Sequence, residues 1–199
     1  MLVTSALEGE GKTETAASLA RVFALGGYRT IVVDADLRDA SMHEALNVMR
    51  RPGLADLLMS RAAFHHVIRK DSMSPAHVMQ AGTPIANPTA ALASSQMLWV
   101  LNALQQTYDY VIIDSPAALS AADAQVLAKA ADVTVLVTDT GTHRTASILG
   151  SAVALCASGA LNATAPCVPT APPAPTAPGA RSVLPRPSRH RRHPRPGRL

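Results

Sequence analysis

The chain has few cysteines and few aromatic residues, and both shortages narrow its class. Two cysteines among 199 residues are too few for a disulfide framework or a zinc site and are consistent with a reducing compartment. Aromatic residues make up only 3% of the chain, so any core must be built from alanine, valine, leucine, isoleucine and methionine. Such cores are common between helices and buried parallel sheets. The composition therefore favours an α/β domain.

Long hydrophobic runs are also missing. No stretch approaches the roughly 20 apolar residues that a membrane span requires, and the N-terminus lacks the charged-then-apolar pattern of a secretory signal. We therefore expect a cytoplasmic protein whose association with any membrane depends on a partner. The length suits one domain of ordinary size with an extension.

Charge and proline are distributed unevenly, which separates a body from a tail. Residues 181–199 contain seven arginines and no acidic residue, so the formal charge of +4 hides a mildly acidic body with 11 basic and 14 acidic side chains in 1–180. Ten of the fifteen prolines lie within 166–196, and a segment of this composition cannot form a packed core. We predict a nucleotide-binding domain at 1–160 and a tail at 161–199, disordered from 165 onward.

Apolar strand patterns and helical patterns alternate along the body. Because Leu2 and Val3 run directly into a Gly-rich loop, we expect the chain to begin within its first strand. The alternation is typical of a three-layer α/β fold, in which helices flank a mostly parallel sheet, and the Gly-rich loop between the first strand and a helix favours the P-loop NTPase-like type. Strands are predicted to end at Thr4 and to occupy 30–34, 76–81, 110–114 and 133–138, and helices to occupy 13–25, 53–60, 62–69, 87–106 in pieces, 121–131 and 143–158.

The Gly-rich loop is the first of three motifs that indicate a phosphate site. A loop between a strand and a helix leaves backbone N–H groups free for phosphate oxygens, and the helix dipole favours anions there. A Gly-Lys-Thr triplet alone is common in loops, but its position between a strand and a helix favours nucleotide binding, even though Ala6 replaces the usual first glycine. The predicted nucleotide-binding residues are Gly9, Glu10, Gly11, Lys12, Thr13 and Glu14.

The second and third motifs are acidic residues at the ends of two apolar strands. Asp34 and Asp36 end one strand and Asp114 ends another, and the carboxyl ends of strands in open α/β sheets form the ligand edge. Acidic residues at strand ends are also often simply solvated. With the hydroxyl of Thr13, these carboxylates would supply the oxygen ligands that Mg²⁺ prefers. We predict a metal set of Thr13, Asp34, Asp36 and Asp114, and a catalytic set of Lys12, Asp34 and Asp36, in which one carboxylate accepts a proton from an attacking hydroxyl.

Three other polar positions have competing interpretations. Arg38 either neutralises phosphate charge or pairs with Asp39 or a helix end. Asp123 either lines the site or is an ordinary acidic residue at a helix start, which the dipole favours. The pair at 65–66, two histidines without a third ligand nearby, is predicted to have a surface or packing role rather than to bind metal.

These residues, in this order, resemble the cytoplasmic catalytic domain of the bacterial tyrosine kinases that govern capsule and exopolysaccharide synthesis, within the wider MinD/ParA group. The resemblance covers roughly residues 2–155. It is carried by TSA at 4–6, GEGK at 9–12, DADLR at 34–38, PGLADLL at 52–58, AGTP at 81–84, NP at 87–88, SSQM at 94–97, YDYVIIDSP at 108–116 and DA at 123–124.

The resemblance implies an ATP- and Mg²⁺-dependent autokinase whose substrates are protein tyrosines. It also implies a transmembrane adaptor of the polysaccharide co-polymerase type, which recruits the kinase to the inner face of the membrane, and a homo-oligomer in the intact family member. Tyrosine, however, occurs in this chain only at Tyr28, Tyr108 and Tyr110. We therefore expect no autophosphorylation of the tail.

Two alternative functions remain open. A MinD/ParA-type partitioning or positioning ATPase shares the three motifs. By resemblance, however, the phosphate loop of that group carries an extra lysine at the position where this chain has Leu7. The arginines of the tail are a candidate anchor for nucleic acid or an anionic membrane. No aromatic residue is interspersed among them to stack on bases, so we expect no nucleic-acid partner.

The abrupt change of composition suggests a further hypothesis. A sudden run of proline, alanine, arginine and histidine is what a GC-rich gene yields when it is translated out of frame, so we hypothesise a frameshift near residue 158. Re-sequencing would test this, since an intact reading frame would refute it.

Overall fold

The computed structural model of the chain describes residues 1–47 and 52–138, together with Gly150 and the strand Val168–Pro169. The strands are β1 (Leu2–Ser5), β2 (Thr30–Asp34), β3 (Ile68–Lys70), β4 (His77–Met79), β5 (Tyr110–Asp114), β6 (Thr134–Thr138) and β7 (Val168–Pro169). The helices are α1 (Lys12–Leu25), α2 (Met42–Ala45), α3 (Leu54–Leu58), α4 (Phe64–Val67), α5 (Pro88–Leu92), α6 (Ser95–Thr107) and α7 (Asp123–Ala128).

The strands form one sheet in the order β3-β4-β2-β5-β1-β6-β7. Every neighbouring pair is parallel except β3 and β4, which are antiparallel. β1 lies between β5 and β6, so the loop that follows it begins in the middle of the sheet. The predicted α/β fold with a mostly parallel sheet is confirmed.

Side chains alternate between two apolar layers, one on each face of the sheet, as the two-residue period of a strand requires. Val3, Val32 and Ile112 pack on the alanine-rich stripe of α1, whereas Leu2 and Ile31 pack with the layer that includes α6. Small residues on α1 let it lie close to the sheet. The three-layer arrangement holds the loop after β1 and the ends of β2 and β5 at one edge.

A buried ion pair joins α1 to the turn between β3 and β4. Arg21 Nε and Nη2 donate to the two oxygens of Asp71 at 2.9 and 3.0 Å, and Ser74 Oγ donates to the same carboxylate at 2.8 Å. Asp71 is almost wholly buried, and these donors, acting against its burial, lower the pKa of Asp71 below its ordinary value. The contact fixes α1 against the outer strands.

The structure differs from the sequence prediction at the edge of the sheet. The predicted helix over 62–69 is a single turn, α4, followed by β3, in which Ile68 pairs with Met79 of β4. Pairing with β4 supplies backbone partners that the short sequence pattern could not reveal. The short helix α2 was also not predicted.

Part of the sequence prediction falls outside the described residues. This is true of the predicted helix over 143–158, apart from Gly150, and of the tail at 161–199, apart from Val168–Pro169, which form a short strand beside β6. In the part of the chain that the structure describes, no helix combines the length and apolar character that a membrane span requires.

Candidate nucleotide-binding site

The loop between β1 and α1 has the backbone conformation of an anion-binding turn. Gly9 and Gly11 have φ values of 80° and 82°, a region in which only glycine is unstrained. Space around Gly9 is open, since a Cβ atom there would meet nothing within 4 Å. The backbone of the loop and the first turn of α1 can therefore approach a phosphate group closely.

Hydrogen bonds within the loop fix its shape. The backbone N–H of Leu7 donates to Glu10 Oε2 at 2.7 Å, and Ser5 Oγ donates to the carbonyl oxygen of Leu7 at 2.6 Å. Thr15 closes the other end by donating to the carbonyl oxygen of Gly11. The carboxylate of Glu10 is thus buried inside the loop, and only the backbone N–H of this predicted residue is suited to phosphate.

Lys12 lies within a group of three carboxylates. Its Nζ donates to Asp36 Oδ2 at 3.2 Å, and both side chains are largely buried. Burial alone would lower the pKa of Lys12, but the charges of Asp114, Asp36 and Asp34 outweigh it and raise this pKa. Lys12 therefore carries its positive charge at every physiological pH.

Asp34 and Asp114 lie side by side because β2 and β5 are in register at these two residues. Asp34 Oδ1 accepts a hydrogen bond from the backbone N–H of Asp36 at 3.1 Å. Asp34 Oδ2 and both oxygens of Asp114 are buried and accept no hydrogen bond. Burial and the neighbouring charges of Asp114 and Asp36 raise the pKa of Asp34 well above its ordinary value. Burial, opposed by Lys12, raises the pKa of Asp114 to about 7.

The unpartnered carboxylate oxygens fit a hydrated divalent cation. Buried acceptors without donors are costly, and water molecules around Mg²⁺ would supply donors as well as charge. Thr13 Oγ1 lies 3.3 Å from Ser41 Oγ at the same edge. Across residues 1–47 and 52–138, no three His, Cys, Asp or Glu side chains are placed to hold a metal ion. Direct coordination by the whole predicted metal set thus remains a prediction, and contact through water is the arrangement that fits.

A cavity of about 360 Å³ opens between the loop, the segment after β2 and the segment after β5. Asp34, Asp114 and Glu10 are buried and do not line it, whereas six of the predicted residues do. These are Gly9, Gly11, Lys12, Thr13, Glu14 and Asp36.

Four polar residues that the sequence analysis did not place in the site also line this cavity. They are Glu8, Asp39, Ser41 and Ser120. Each lies in a segment that follows a strand, but nothing in their sequence pattern distinguishes them from solvated loop residues. Arg38, for which two interpretations were open, lines the cavity as well and pairs with Asp123 rather than with Asp39.

Replacing Asp114 with asparagine is expected to stabilise the ligand-free chain at pH 8. Folding raises the pKa of Asp114 from its ordinary value of 3.8 to about 7, so at pH values between these two the folded chain binds a proton that the unfolded chain has lost. The stability that Asp114 contributes at low pH is therefore lost as the pH rises through this range to about 7. Asparagine cannot ionise, and the gain in free energy of unfolding at pH 8 is expected to be on the order of 2–4 kcal/mol. Urea unfolding at pH 5 and pH 8 measures it.

The control is Asp109→Asn, which removes an exposed carboxylate at the opposite edge of the sheet. At pH 5 the gain from Asp114→Asn should fall to less than about half of its value at pH 8, because the effect accumulates between the ordinary pKa of 3.8 and the folded-state pKa of about 7. An equal gain at both pH values would contradict the assignment of the effect to ionisation of Asp114.

Comparison with known proteins identifies the family. A family model described as an AAA domain matches residues 3–148. The tyrosine-protein kinase YwqD of Bacillus subtilis is 36% identical over 141 residues, which make up 71% of this chain and 60% of that relative. The chain thus spans less than two thirds of the length of this curated relative.

Solved structures give the same result. The kinase domain of Escherichia coli tyrosine kinase ETK is 28% identical with a TM-score of 0.81, over 88% of this chain and 69% of that one. The VpsO kinase domain is 30% identical with a TM-score of 0.76, over 79% of this chain and 78% of that one.

A MinD-like structure is more distant. The cell division ATPase MinD of Pyrococcus furiosus is 24% identical with a TM-score of 0.66, over 79% of this chain and 66% of that one, a similarity that extends to the fold alone. The resemblance predicted from the sequence is confirmed: the chain belongs to the AAA domain family and, within it, to the bacterial tyrosine-kinase domains.

Proposed function

We propose that residues 1–160 form the catalytic domain of an ATP-dependent protein-tyrosine kinase of capsule or exopolysaccharide synthesis. The observation that carries this proposal is the meeting of a phosphate loop and the Lys12–Asp36 pair at one cavity, at the sheet edge where the buried carboxylates of Asp34 and Asp114 lie side by side. The tyrosine-protein kinases that match this chain support the choice of reaction. The tail at 161–199 lies outside the proposed domain.

The loop and Lys12 would bind the phosphates of ATP. Backbone N–H groups of 9–13 would donate to phosphate oxygens at the positive end of α1. Lys12 would move from Asp36 toward the outer phosphates, which carry more negative charge than a single carboxylate. Thr13, with Asp114 and Asp34 acting through water, would hold Mg²⁺. When bound, this ion neutralises charge on the outer phosphates.

Asp36 would accept the proton of the tyrosine hydroxyl. It lines the cavity, whereas Asp34 is wholly buried, so a substrate hydroxyl can reach Asp36 and not Asp34. The hydroxyl oxygen would form a bond to the terminal phosphorus as the bond from that phosphorus to the bridging oxygen of ADP breaks, and the proton would pass to Asp36. Asp34 would fix the position of Asp36 by accepting a hydrogen bond from the backbone N–H of that residue.

The acceptor tyrosine would come from another protein or from the surface of this domain. Tyr28 is half exposed, whereas Tyr108 is buried and Tyr110 stacks on Phe23 with ring centroids 4.3 Å apart. We propose that a membrane adaptor brings the domain to its substrates at the inner face of the membrane, and that the intact protein is a homo-oligomer.

Replacing Asp36 with asparagine is expected to lower phosphotransfer by about 10²–10⁴-fold and to change ATP affinity much less. The amide cannot accept the proton, although it keeps the shape of the carboxylate. Single-turnover transfer from radiolabelled ATP and titration calorimetry measure the two quantities. Asp109→Asn serves as the control, and full transfer activity in Asp36→Asn would refute the role given to Asp36.

The function itself is tested with the purified chain, a cytoplasmic fragment of its adaptor and radiolabelled ATP. Formation of phosphotyrosine is the expected result. Partner-stimulated hydrolysis without phosphotyrosine would instead favour a positioning ATPase.

A further inference from the structure

Arg38, Thr89 and Asp123 form a polar cluster that joins three separate elements. Arg38 follows β2, Thr89 lies on α5 and Asp123 begins α7. Arg38 Nε donates to Asp123 Oδ2 at 2.9 Å, and Arg38 Nη2 donates to Thr89 Oγ1 at 2.9 Å. The hydroxyl of Thr89 in turn donates to Asp123 Oδ1. Each member thus contacts the other two.

The cluster holds the guanidinium group of Arg38 in one orientation. Asp123 is completely buried, while the side chain of Arg38 is 47% exposed. A buried carboxylate without a charged partner is strongly unfavourable, so Asp123 favours the conformation in which Arg38 pairs with it. The two contacts use Nε and Nη2 and leave Nη1 free to donate to another group.

The exposed side of Arg38 faces the phosphate cavity. Arg38 lines this cavity together with Lys12 and Thr13, and its backbone N–H donates to Asp36 Oδ1 at 3.3 Å. Lys12 Nζ donates to the other oxygen of Asp36, so Arg38 reaches the cavity from the segment after β2, whereas Lys12 and Thr13 reach it from the end of the loop after β1. Lys12 and Arg38 are the two cationic residues in the described lining of this cavity, so Arg38 supplies the second positive charge that a phosphate group there can meet.

We propose that Arg38 binds the terminal phosphate of ATP and that Asp123 and Thr89 are positioning residues that hold its guanidinium group at the cavity. This inference rests on the proposed function, because it requires ATP as the ligand. A fixed arginine at this place binds the triphosphate of ATP more tightly than the diphosphate of ADP, and it stabilises the charge that develops during transfer.

Arginine is better suited to this role than lysine. The guanidinium group contacts Asp123 and Thr89 through two of its nitrogens, and the third nitrogen remains to donate to phosphate. The single side-chain nitrogen of lysine cannot make all three contacts from a fixed position. Both Arg38→Gln and Arg38→Lys are therefore expected to weaken selection for the terminal phosphate.

The experiment compares the affinities of the full chain for the magnesium complexes of ADP and a non-hydrolysable ATP analogue, measured by titration calorimetry. Arg38→Gln is expected to weaken analogue binding about 10- to 100-fold and to change ADP binding less than about 2-fold. Arg38→Lys is expected to show an intermediate loss, and it provides the test if Arg38→Gln fails to fold. Arg29→Gln is the matched control, since Arg29 pairs with Asp109 at the opposite edge of the sheet.

The role of Thr89 has its own readout. Thr89→Val keeps the size of the side chain and removes the hydroxyl, so it should lower the preference for the ATP analogue over ADP by about 3-fold. Combined with Arg38→Gln, it should lower the preference no further. A role in stability alone would reduce both affinities together or neither.

The outcomes separate the inference from the function on which it rests. If a folded Arg38 variant keeps the full preference of the unaltered chain for the ATP analogue, the inference is overturned and the proposed function is unaffected. If the unaltered chain binds neither nucleotide, the proposed function fails and the inference fails with it.

Discussion

Replacing Lys12 with methionine is expected to lower ATP affinity at least about 100-fold and to bring phosphotransfer below detection. Charge-assisted hydrogen bonds contribute about 1.5–3 kcal/mol each, and Lys12 would make more than one with the outer phosphates. Its loss also leaves Asp34, Asp36 and Asp114 without the cation that opposes their mutual repulsion, so the cavity would repel phosphate. Titration calorimetry with ATP and Mg²⁺ measures the affinity.

The control for this variant is Lys70→Met, which removes an exposed lysine from β3. Circular dichroism should show that Lys12→Met remains folded at pH 5, where protonation of Asp114, whose pKa is raised by burial to about 7, relieves part of the repulsion. ATP affinity within about 3-fold of the unaltered chain would contradict the assignment of the phosphate site.

Replacing Gly53 with alanine is expected to destabilise the fold by about 3 kcal/mol or more. A Cβ atom at this position would lie 2.2 Å from the carbonyl oxygen of Gln80 and 2.5 Å from the backbone nitrogen of Gly82. Both are backbone atoms, so the clash is relieved only if the backbone around Gly53 or the backbone of 80–82 moves. Overpacking costs about 1–3 kcal/mol even where side chains can adjust. Urea unfolding measures the change.

Several hydrogen bonds hold the backbone around Gly53 against the segment 80–83, and for this reason movement of either segment is costly. Leu54 donates to the carbonyl oxygen of Gln80 at 2.6 Å, and Asp56 accepts from the backbone N–H groups of Gly53 and Thr83. Gly150→Ala is the control, because a Cβ atom there meets nothing within 4 Å. A loss below about 1 kcal/mol in Gly53→Ala would show that these segments move easily.

The sequence was sufficient to predict the fold and the meeting of Lys12, Asp34 and Asp114. Each of these residues follows or ends an apolar strand, and parallel strands bring their carboxyl ends to one edge. The rule places Asp34 and Asp114 at the same edge, but their direct adjacency depends on β2 and β5 being neighbouring strands in register, which the sequence did not reveal. Local periodicity and a single geometric rule therefore predicted that these three residues share one edge of the sheet.

Contacts between distant segments could not be predicted in the same way. Arg38 and Asp123 are 85 positions apart, and the sequence offered Asp39 as a nearer partner. Which carboxylate the guanidinium group reaches depends on how α7 packs on the sheet. The misassignment of Ile68 and Arg69 to a helix has the same origin, since the pairing of β3 with β4 is a tertiary interaction.

The hydrogen bonds within the loop between β1 and α1 affect the thermodynamics of ligand binding. Because the side chain of Glu10 already holds the backbone of Leu7, the turn is preorganised before any ligand arrives. Ordering a flexible segment on association reduces affinity, and here that entropic penalty is met during folding. Capture of the phosphates can then proceed nearly as a rigid docking event.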